Sequence, residues 1–325
     1  MEKQARIFIV IDNKKRSAMK LRHIIESQQF TLPMLVELFD RAHDMEKILK
    51  RGGTRDYENK VMASLFYESG LLTRLSFESA MARLGGKVIS TEHASQFFSS
   101  TPSDSLEDTI RVVDDFCDVI VLRHNHIGGA KRAAEVSTCP VINAGDGKGG
   151  QHPTQALLDL YTIHKETNKL DGLKVALVGN LADGRTARSL SYLLGKYERV
   201  KLYFIAPKSL QMKEDILSHL GENHVWYTLG EDLNAVLPEV DVVYINRIER
   251  ERFAGADEEY TKIVQRYFID AGSLKLMQPQ AIIMHPLSRE NEIAPEVDKD
   301  PRSAYFRQTQ NGITIRMALL AWVME

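Results

Sequence analysis

Short apolar runs rich in valine, isoleucine and leucine recur along the chain, separated by longer stretches whose apolar positions follow a helical period. In the first half these runs are VMASLFY (61–67), KVIST (87–91), DVIVLR (118–123) and PVINA (140–144). KVALVGN (174–180), KLYFIAP (201–207), DVVYINR (241–247) and AIIMHP (281–286) repeat the rhythm in the second half. Between the first four, residues 73–85, 105–116 and 128–137 read as helices. The alternation predicts an α/β fold with parallel sheets, and runs apolar on both faces predict strands covered on both sides. Segment 20–51 reads as a helical lead-in, 311–324 as a closing helix, and the charged stretch 247–260 as a surface loop.

The rhythm pauses at GDGKGGQHPTQALLDLYTIHKE (145–166), where a Gly-rich loop runs into a helix starting near Pro153. One helix joining two α/β units leaves a cleft between them. Ligands of open parallel sheets gather at the C-terminal ends of the strands. Here those ends carry Glu68, Arg123, Asn143, Asn180, Arg247 and His285, a polar set suited to a small charged substrate.

Composition narrows the classes. The chain of 325 residues is long enough for two ordinary domains, and its net charge of −2 gives no field that would favour nucleic acid or a membrane surface. Cys117 and Cys139 lack metal-like spacing and read as buried thiols of a reducing compartment. His124 and His126 form an H-x-H pair without an evident third ligand, so a solvated loop is expected and neither metal nor cofactor is called for. Asp146–Gly147 and Asp183–Gly184 read as turns, and Arg74 with Glu78, four apart on one helix, as an ion pair. The start MEKQARIFIVIDNKKR has no small-residue cleavage site after its apolar run, so a cytoplasmic protein is expected.

The pieces LRH (122–124), INAGDGKGGQHPTQALLDLYTI (142–163), GRTARSL (184–190), RIERERF (247–253), IIMHPL (282–287) and YFRQTQNGITIRMALL (305–320) resemble aspartate carbamoyltransferase catalytic chains, in the expected order from about residue 20 onward. The resemblance implies the transcarbamylase fold: two domains, each a mainly parallel sheet covered by helices, with the cleft between them. Residues 1–152 plus 309–325 would form a carbamoyl-phosphate-type donor domain and 153–308 an amino-acid acceptor domain. It also implies a homotrimer with active sites shared between neighbours, a place in pyrimidine biosynthesis, and no cofactor. Carried over residue by residue, His152 polarises the carbamoyl oxygen, Gln155 touches the carbamoyl amide and Arg123 is shared between carbonyl and phosphate. Arg185 and Arg247 grip the acceptor's carboxylates, where a bidentate fork explains arginine over lysine.

The donor site departs from the pattern. The family carries Ser-Thr-Arg-Thr-Arg at the strand–helix turn; this chain has Gly70-Leu71-Leu72-Thr73-Arg74, keeping only Thr73 and Arg74. A serine and a lysine of the loop that reaches the adjacent subunit fall on Phe98 and Pro102. Each charge-assisted hydrogen bond to phosphate contributes roughly 1.5–3 kcal/mol, so losing an arginine and a lysine costs ~10² to 10⁴ in donor affinity. Leu71 and Leu72 are expected to exclude water from the phosphate position, or to pack inward as core. Arg123 remains available, and so do the N–H groups at the helix start. On the acceptor side Glu249 stands where the family has glutamine, and would repel a second carboxylate or attract an amine. Ser288 replaces the proline after Leu287, where the family peptide is cis, so the neighbouring carbonyls are expected to turn.

Three readings follow. The first is a transferase-fold enzyme with an altered donor or reaction on an aspartate-like amino acid. The second is an inert relative that binds a ligand or partner, and the third is a genuine but weak aspartate carbamoyltransferase.

Overall fold

The computed structural model describes residues 21–92, 105–253 and 256–325. The chain enters through α1 (Leu32–Lys50) and then alternates through β1 (Val61–Phe66), α2 (Leu71–Arg83), β2 (Lys87–Glu92), α3 (Leu106–Asp114), β3 (Val119–His124), α4 (Gly129–Val136) and β4 (Val141–Asp146). The helix α5 (Pro153–Thr167) leads to β5 (Lys174–Val178), α6 (Arg185–Leu194), β6 (Lys201–Ile205), α7 (Glu214–Glu222), β7 (Trp226–Gly230) and α8 (Leu233–Val236). After these come β8 (Val242–Ile245), α9 (Asp257–Arg266), α10 (Ala271–Leu276), β9 (Ile282–Met284) and α11 (Tyr305–Met324).

The strands form two sheets, ordered β2-β1-β3-β4 and β7-β6-β5-β8-β9, with every described pairing parallel. Each sheet has apolar cores on both faces. Ala63, Ile120 and Leu122 face one side of the first sheet, while Met62, Val119 and Val121 face the other. That second face is continuous with Val175, Leu177 and Leu202 of the second sheet, through α5 and α11. Residues Pro153 to Ile163 of α5 are all buried, as a helix wedged between two sheets requires. Polar links then pin α11 along α5: Asn311 donates to Thr162 Oγ1 at 3.0 Å, and Arg307 forks onto Glu166 with both contacts at 2.7 Å.

Several expectations change. Coverage on both faces holds for the central strands but not for the edges β2 and β7, whose side chains are mostly half-buried or exposed. The edge strand β7 was not anticipated from the sequence; Trp226 and Leu229 point to solvent, as only an edge allows. In the lead-in only α1 is a regular α-helix, starting where Thr31 accepts from Met34 N at 3.4 Å. The residues before it run beside β4, with Ile24 N donating to Val141 O at 2.8 Å and Asn143 N to Ile24 O at 2.7 Å. The 247–260 stretch holds a short 3-10 turn at Arg250–Phe253 and the start of α9. The closing helix begins at Tyr305, more than one and a half turns earlier than its apolar period suggests.

Candidate active site

Parallel strands bring their C-terminal ends to one edge, and the loops that follow line a cavity of about 510 Å³. After β1 come Glu68 and Ser69, and Thr73 in the first turn of α2; Arg123 is the last residue but one of β3, and β4 leads through the Gly-rich loop to His152 and Gln155. From the second sheet β5 supplies Asn180 and Arg185, β8 supplies Arg247 and Glu249, and β9 supplies His285, Leu287 and Ser288. Nearly the whole set proposed from the sequence therefore converges on one space. Phe98 and Pro102 lie outside the described residues. A larger hollow of about 740 Å³ near Asp232 and Lys275 gathers none of this chemistry.

His152 caps the start of α5 and is buried, its backbone N–H held by Ser189 Oγ at 2.9 Å. Burial, then Arg123, Arg185 and Arg316, push its pKa well below the ordinary histidine value, so the ring is neutral. A neutral imidazole can donate one hydrogen bond to a carbonyl oxygen without carrying charge into the cavity. Gln155 Nε2 is spent on Asp159 Oδ1 at 2.9 Å, which leaves its amide oxygen as the free acceptor for an amide N–H.

Asp159 is a buried hub that sequence reading missed. It accepts from Gln155, from Gln308 Nε2 at 2.6 Å and from Tyr244 OH at 2.7 Å, while Gln308 Oε1 takes the backbone N–H of His285 at 3.0 Å. Burial raises its carboxyl to about 7 against the pull of those three donors. One side chain thus fixes Gln155 and, through Gln308, the 285–288 turn. The available signal was an acid four residues after Gln155, on the same face of a helix otherwise apolar there.

The arginines are not idle. Glu68 Oε1 sits 3.0 Å from Arg123 Nη2 and 2.6 Å from Arg185 Nη1, across the mouth between the two sheets. Arg123 Nη1 also donates to Ala144 O at 3.3 Å, which corrects the expectation of an uncommitted Arg123. Arg247 Nη2 lies 2.7 Å from Glu290 Oε1. These approaches compensate charge more than they satisfy direction: among the described residues Arg123 Nε and Arg247 Nε are buried without a hydrogen-bond partner, while Arg185 Nη1 is held only by its ion pair with Glu68. Buried donors left open toward a cavity are what an oxyanion ligand would satisfy.

At the donor end, Leu71 and Leu72 are neither core nor cavity lining. They begin α2 and stand 53% and 45% exposed, so the inward-packing expectation fails; Leu72 instead edges a small hollow of about 60 Å³ with Ser76 and Pro286. The first helical hydrogen bond is Arg74 N to Gly70 O at 2.9 Å, which leaves the earlier amides as an anion-binding helix end. Gly70 has a specific role. A Cβ there would lie 2.7 Å from both Cδ and Nε of Arg123, so Arg123 lies against the space that a serine side chain would need. Arg74 pairs with Glu92 at 2.9 Å and lies 3.6 Å from Glu78, as a structural ion pair.

On the acceptor side Glu249 is half-buried and accepts from Asn180 Nδ2 at 3.3 Å. The Leu287–Ser288 peptide is cis despite the missing proline. His285 is buried beside it, its Nδ1 taking Leu287 N at 2.8 Å, and burial followed by Arg289 and Arg247 lowers its pKa to about 3. Away from the cavity, His124 is buried, not solvated: its Nδ1 accepts from His126 N at 3.1 Å, and no group of three metal-ligating side chains occurs among the described residues. Cys117 and Cys139 are half-buried with sulfurs 4.0 Å apart.

Residues 22–165 match the family described as aspartate/ornithine carbamoyltransferase, carbamoyl-P binding domain, and residues 171–323 the corresponding Asp/Orn binding domain. The chloroplastic aspartate carbamoyltransferase of Arabidopsis thaliana is 52% identical over 302 residues, 93% of this chain and 77% of that one. Among solved structures, the catalytic subunit of M. jannaschii aspartate transcarbamoylase is 42% identical with a TM-score of 0.87, covering 93% of this chain and 98% of that one. Aspartate transcarbamoylase from Trypanosoma cruzi in complex with carbamoyl phosphate and aspartate is 35% identical with a TM-score of 0.86, covering 94% and 95%.

Proposed function

The chain belongs to the aspartate/ornithine carbamoyltransferase family, and on that premise we propose that it transfers a carbamoyl group from carbamoyl phosphate to the amino nitrogen of aspartate, with a weakened hold on the donor's phosphate. The observation that carries this reading is the convergence of His152, Gln155, Arg123, Thr73, Arg185 and Arg247 on one cavity. In the proposed reaction, the amine attacks the carbamoyl carbon, the N–C bond forms as the C–O bond to phosphate breaks, and the amine proton leaves with the phosphate or solvent. Neutral His152 donates to the oxygen as it gains charge, while Thr73 Oγ1 and Arg123 stabilise the same developing charge. Gln155 orients the carbamoyl amide. Arg185 and Arg247 fix the acceptor's carboxylates so that the nitrogen meets the carbon.

With Gly70, Leu71 and Leu72 in the α2 turn, phosphate is left with Thr73, Arg123 and the helix amides. The donor's half-saturating concentration therefore rises while the acceptor's stays ordinary. The test is production of carbamoyl-aspartate by the purified protein under raised carbamoyl phosphate. Product that saturates normally in aspartate, and only at high donor concentration, supports the reading; no product at any donor concentration overturns it.

A second reading, an altered donor without phosphate, draws on the two exposed leucines at the donor end. It predicts turnover of aspartate with a carbamoyl or acyl group on an uncharged leaving group, and none with carbamoyl phosphate. Trimeric assembly, carried over from the family, and a cytoplasmic location belong to the same proposal.

A further inference from the structure

Among the described residues, the four cations lining the cavity are not equivalent. Arg123 and Arg185 share Glu68, and Arg247 faces Glu290. Lys148 lines the same cavity, is exposed, and has no ion-pair or hydrogen-bond partner among the described residues. Asp183, an acid on the same lining, is engaged by Lys213 at 2.6 Å.

The loop that carries Lys148 is held from both sides. Gly147 N donates to His124 O at 2.9 Å, Gly149 N crosses to Asp183 O at 3.0 Å, and the Asp146 carboxylate takes the N–H groups of Gly128 and Gln151, both at 2.9 Å. Its glycines are required. Gly147 has φ 47° with its Cβ direction 2.5 Å from Ile127 N, and a Cβ on Gly150 would lie 2.2 Å from Asp146 O. Lys148 is the one side chain beyond hydrogen in the Gly147–Gly150 stretch, so a clamped backbone presents a single cation to the cavity.

We propose that Lys148 recognises the anionic group of a substrate in this cleft, supplying the positive charge that Leu72 no longer provides at the α2 turn. The ligand chemistry is an oxyanion on a small molecule, whose source is the donor's phosphate or the acceptor's carboxylate. The proposal deepens the reading of the cleft as a site for small anionic substrates. A flexible ammonium on a rigid turn reaches such a group without first breaking an internal ion pair, whereas each arginine must leave or share its carboxylate.

The test is calorimetric titration of the full chain at low ionic strength, with inorganic phosphate in one arm and succinate in the other. Wild type, Lys148→Met, Lys148→Arg and the distant control Lys50→Met are compared, with thermal midpoints confirming that each is folded. The expected result is a loss of about 10- to 100-fold in affinity for one of the two anions in Lys148→Met, with Lys148→Arg near wild type and Lys50→Met unchanged. The arm that loses affinity identifies the source. Equal affinities in wild type and Lys148→Met, no binding of either anion to wild type, or the same loss in Lys50→Met would each overturn it. Because no turnover is required, a protein that makes no carbamoyl-aspartate yet loses anion binding in Lys148→Met would sink the functional proposal and leave this one standing.

Discussion

The two halves of the cleft present their donors in different ways. At the acceptor end the donors are side chains met by the chain's own carboxylates: Arg185 by Glu68 and Arg247 by Glu290, with Glu249 on the same lining. At the donor end the Gly70-Leu71-Leu72 turn carries no cation, and α2 opens with amides outside its hydrogen-bond ladder, at the edge of the same cavity, under two exposed leucines. An arginine's position depends on whatever anion faces it, whereas a helix start depends on the strand and helix packed behind it. Side-chain recognition can therefore be removed from a site while its scaffold stays intact. That contrast makes the donor end the more easily rebuilt of the two.

The largest effect is expected from rebuilding it. Leu71→Thr with Leu72→Arg places a hydroxyl and a guanidinium on an exposed first turn, where neither has to displace core. Two charge-assisted contacts to phosphate correspond to about 3–6 kcal/mol, or ~10² to 10⁴ in carbamoyl phosphate affinity. Adding Gly70→Ser obliges Arg123 to leave the space against the glycine, so the third change should add less than either of the first two. Titration with carbamoyl phosphate measures all three steps. No gain from the double variant would show that the turn does not face the donor, and the contrast between the two ends would collapse.

Next in size is Asp159→Ala. It strips the shared acceptor from Gln155, Gln308 and Tyr244, leaving buried donors unpaired. A stability loss of about 2–5 kcal/mol is expected in urea unfolding. Asp159→Asn keeps one acceptor oxygen and should recover much of it. If the hub positions Gln155 and the 285–288 turn, the asparagine variant still loses ligand affinity while remaining folded; full affinity in that variant would reduce Asp159 to a packing role.

Much of this site was legible before the fold. The strand ends Glu68, Arg123, Asn180, Arg247 and His285 line the cavity because parallel topology fixes where strands stop, whereas Asn143 is buried away from it, donating to Ile25 O and accepting from Gly145 N. Histidine before Pro153 and glutamine two residues after it marked a helix start facing that edge. What escaped were contacts between segments distant in sequence. The Glu68 bridge joins residues 117 positions apart in the case of Arg185, and the Gln308 link to Asp159 spans 149. Lys148 was hidden by its loop: between glycines it shows no period, and its freedom from carboxylates is a property of space. The edge strand β7 was missed because half-exposed edges lack the apolar run that marks a central strand.

The smallest effect tests how dry the acceptor end is. His285 titrates at about 3 in the folded chain and His152 well below its ordinary value, both chiefly through burial. Both folded pKa values are depressed, so on acidification below ~6.5 the unfolded chain takes up protons that the folded chain refuses, and stability falls. Asp159, held at about 7, acts in the opposite sense: its folded form gains a proton from pH ~7 downward, before the unfolded form does. Glu292, 3.9 Å from His285 and raised by burial, joins Asp159 only nearer its own range. His23, His124, His164 and His219, whose pKa values burial also lowers, add to the loss, so stability falls between pH ~6.5 and ~5.5 although Asp159 opposes it. His285→Asn removes one of these depressed histidines and should make that slope shallower, by up to about 1.4 kcal/mol per pH unit, whatever it does to stability at pH 7. Urea midpoints of the two proteins across this window decide the matter. An unchanged slope would mean that water reaches His285 and that the acceptor end is as open as the donor end.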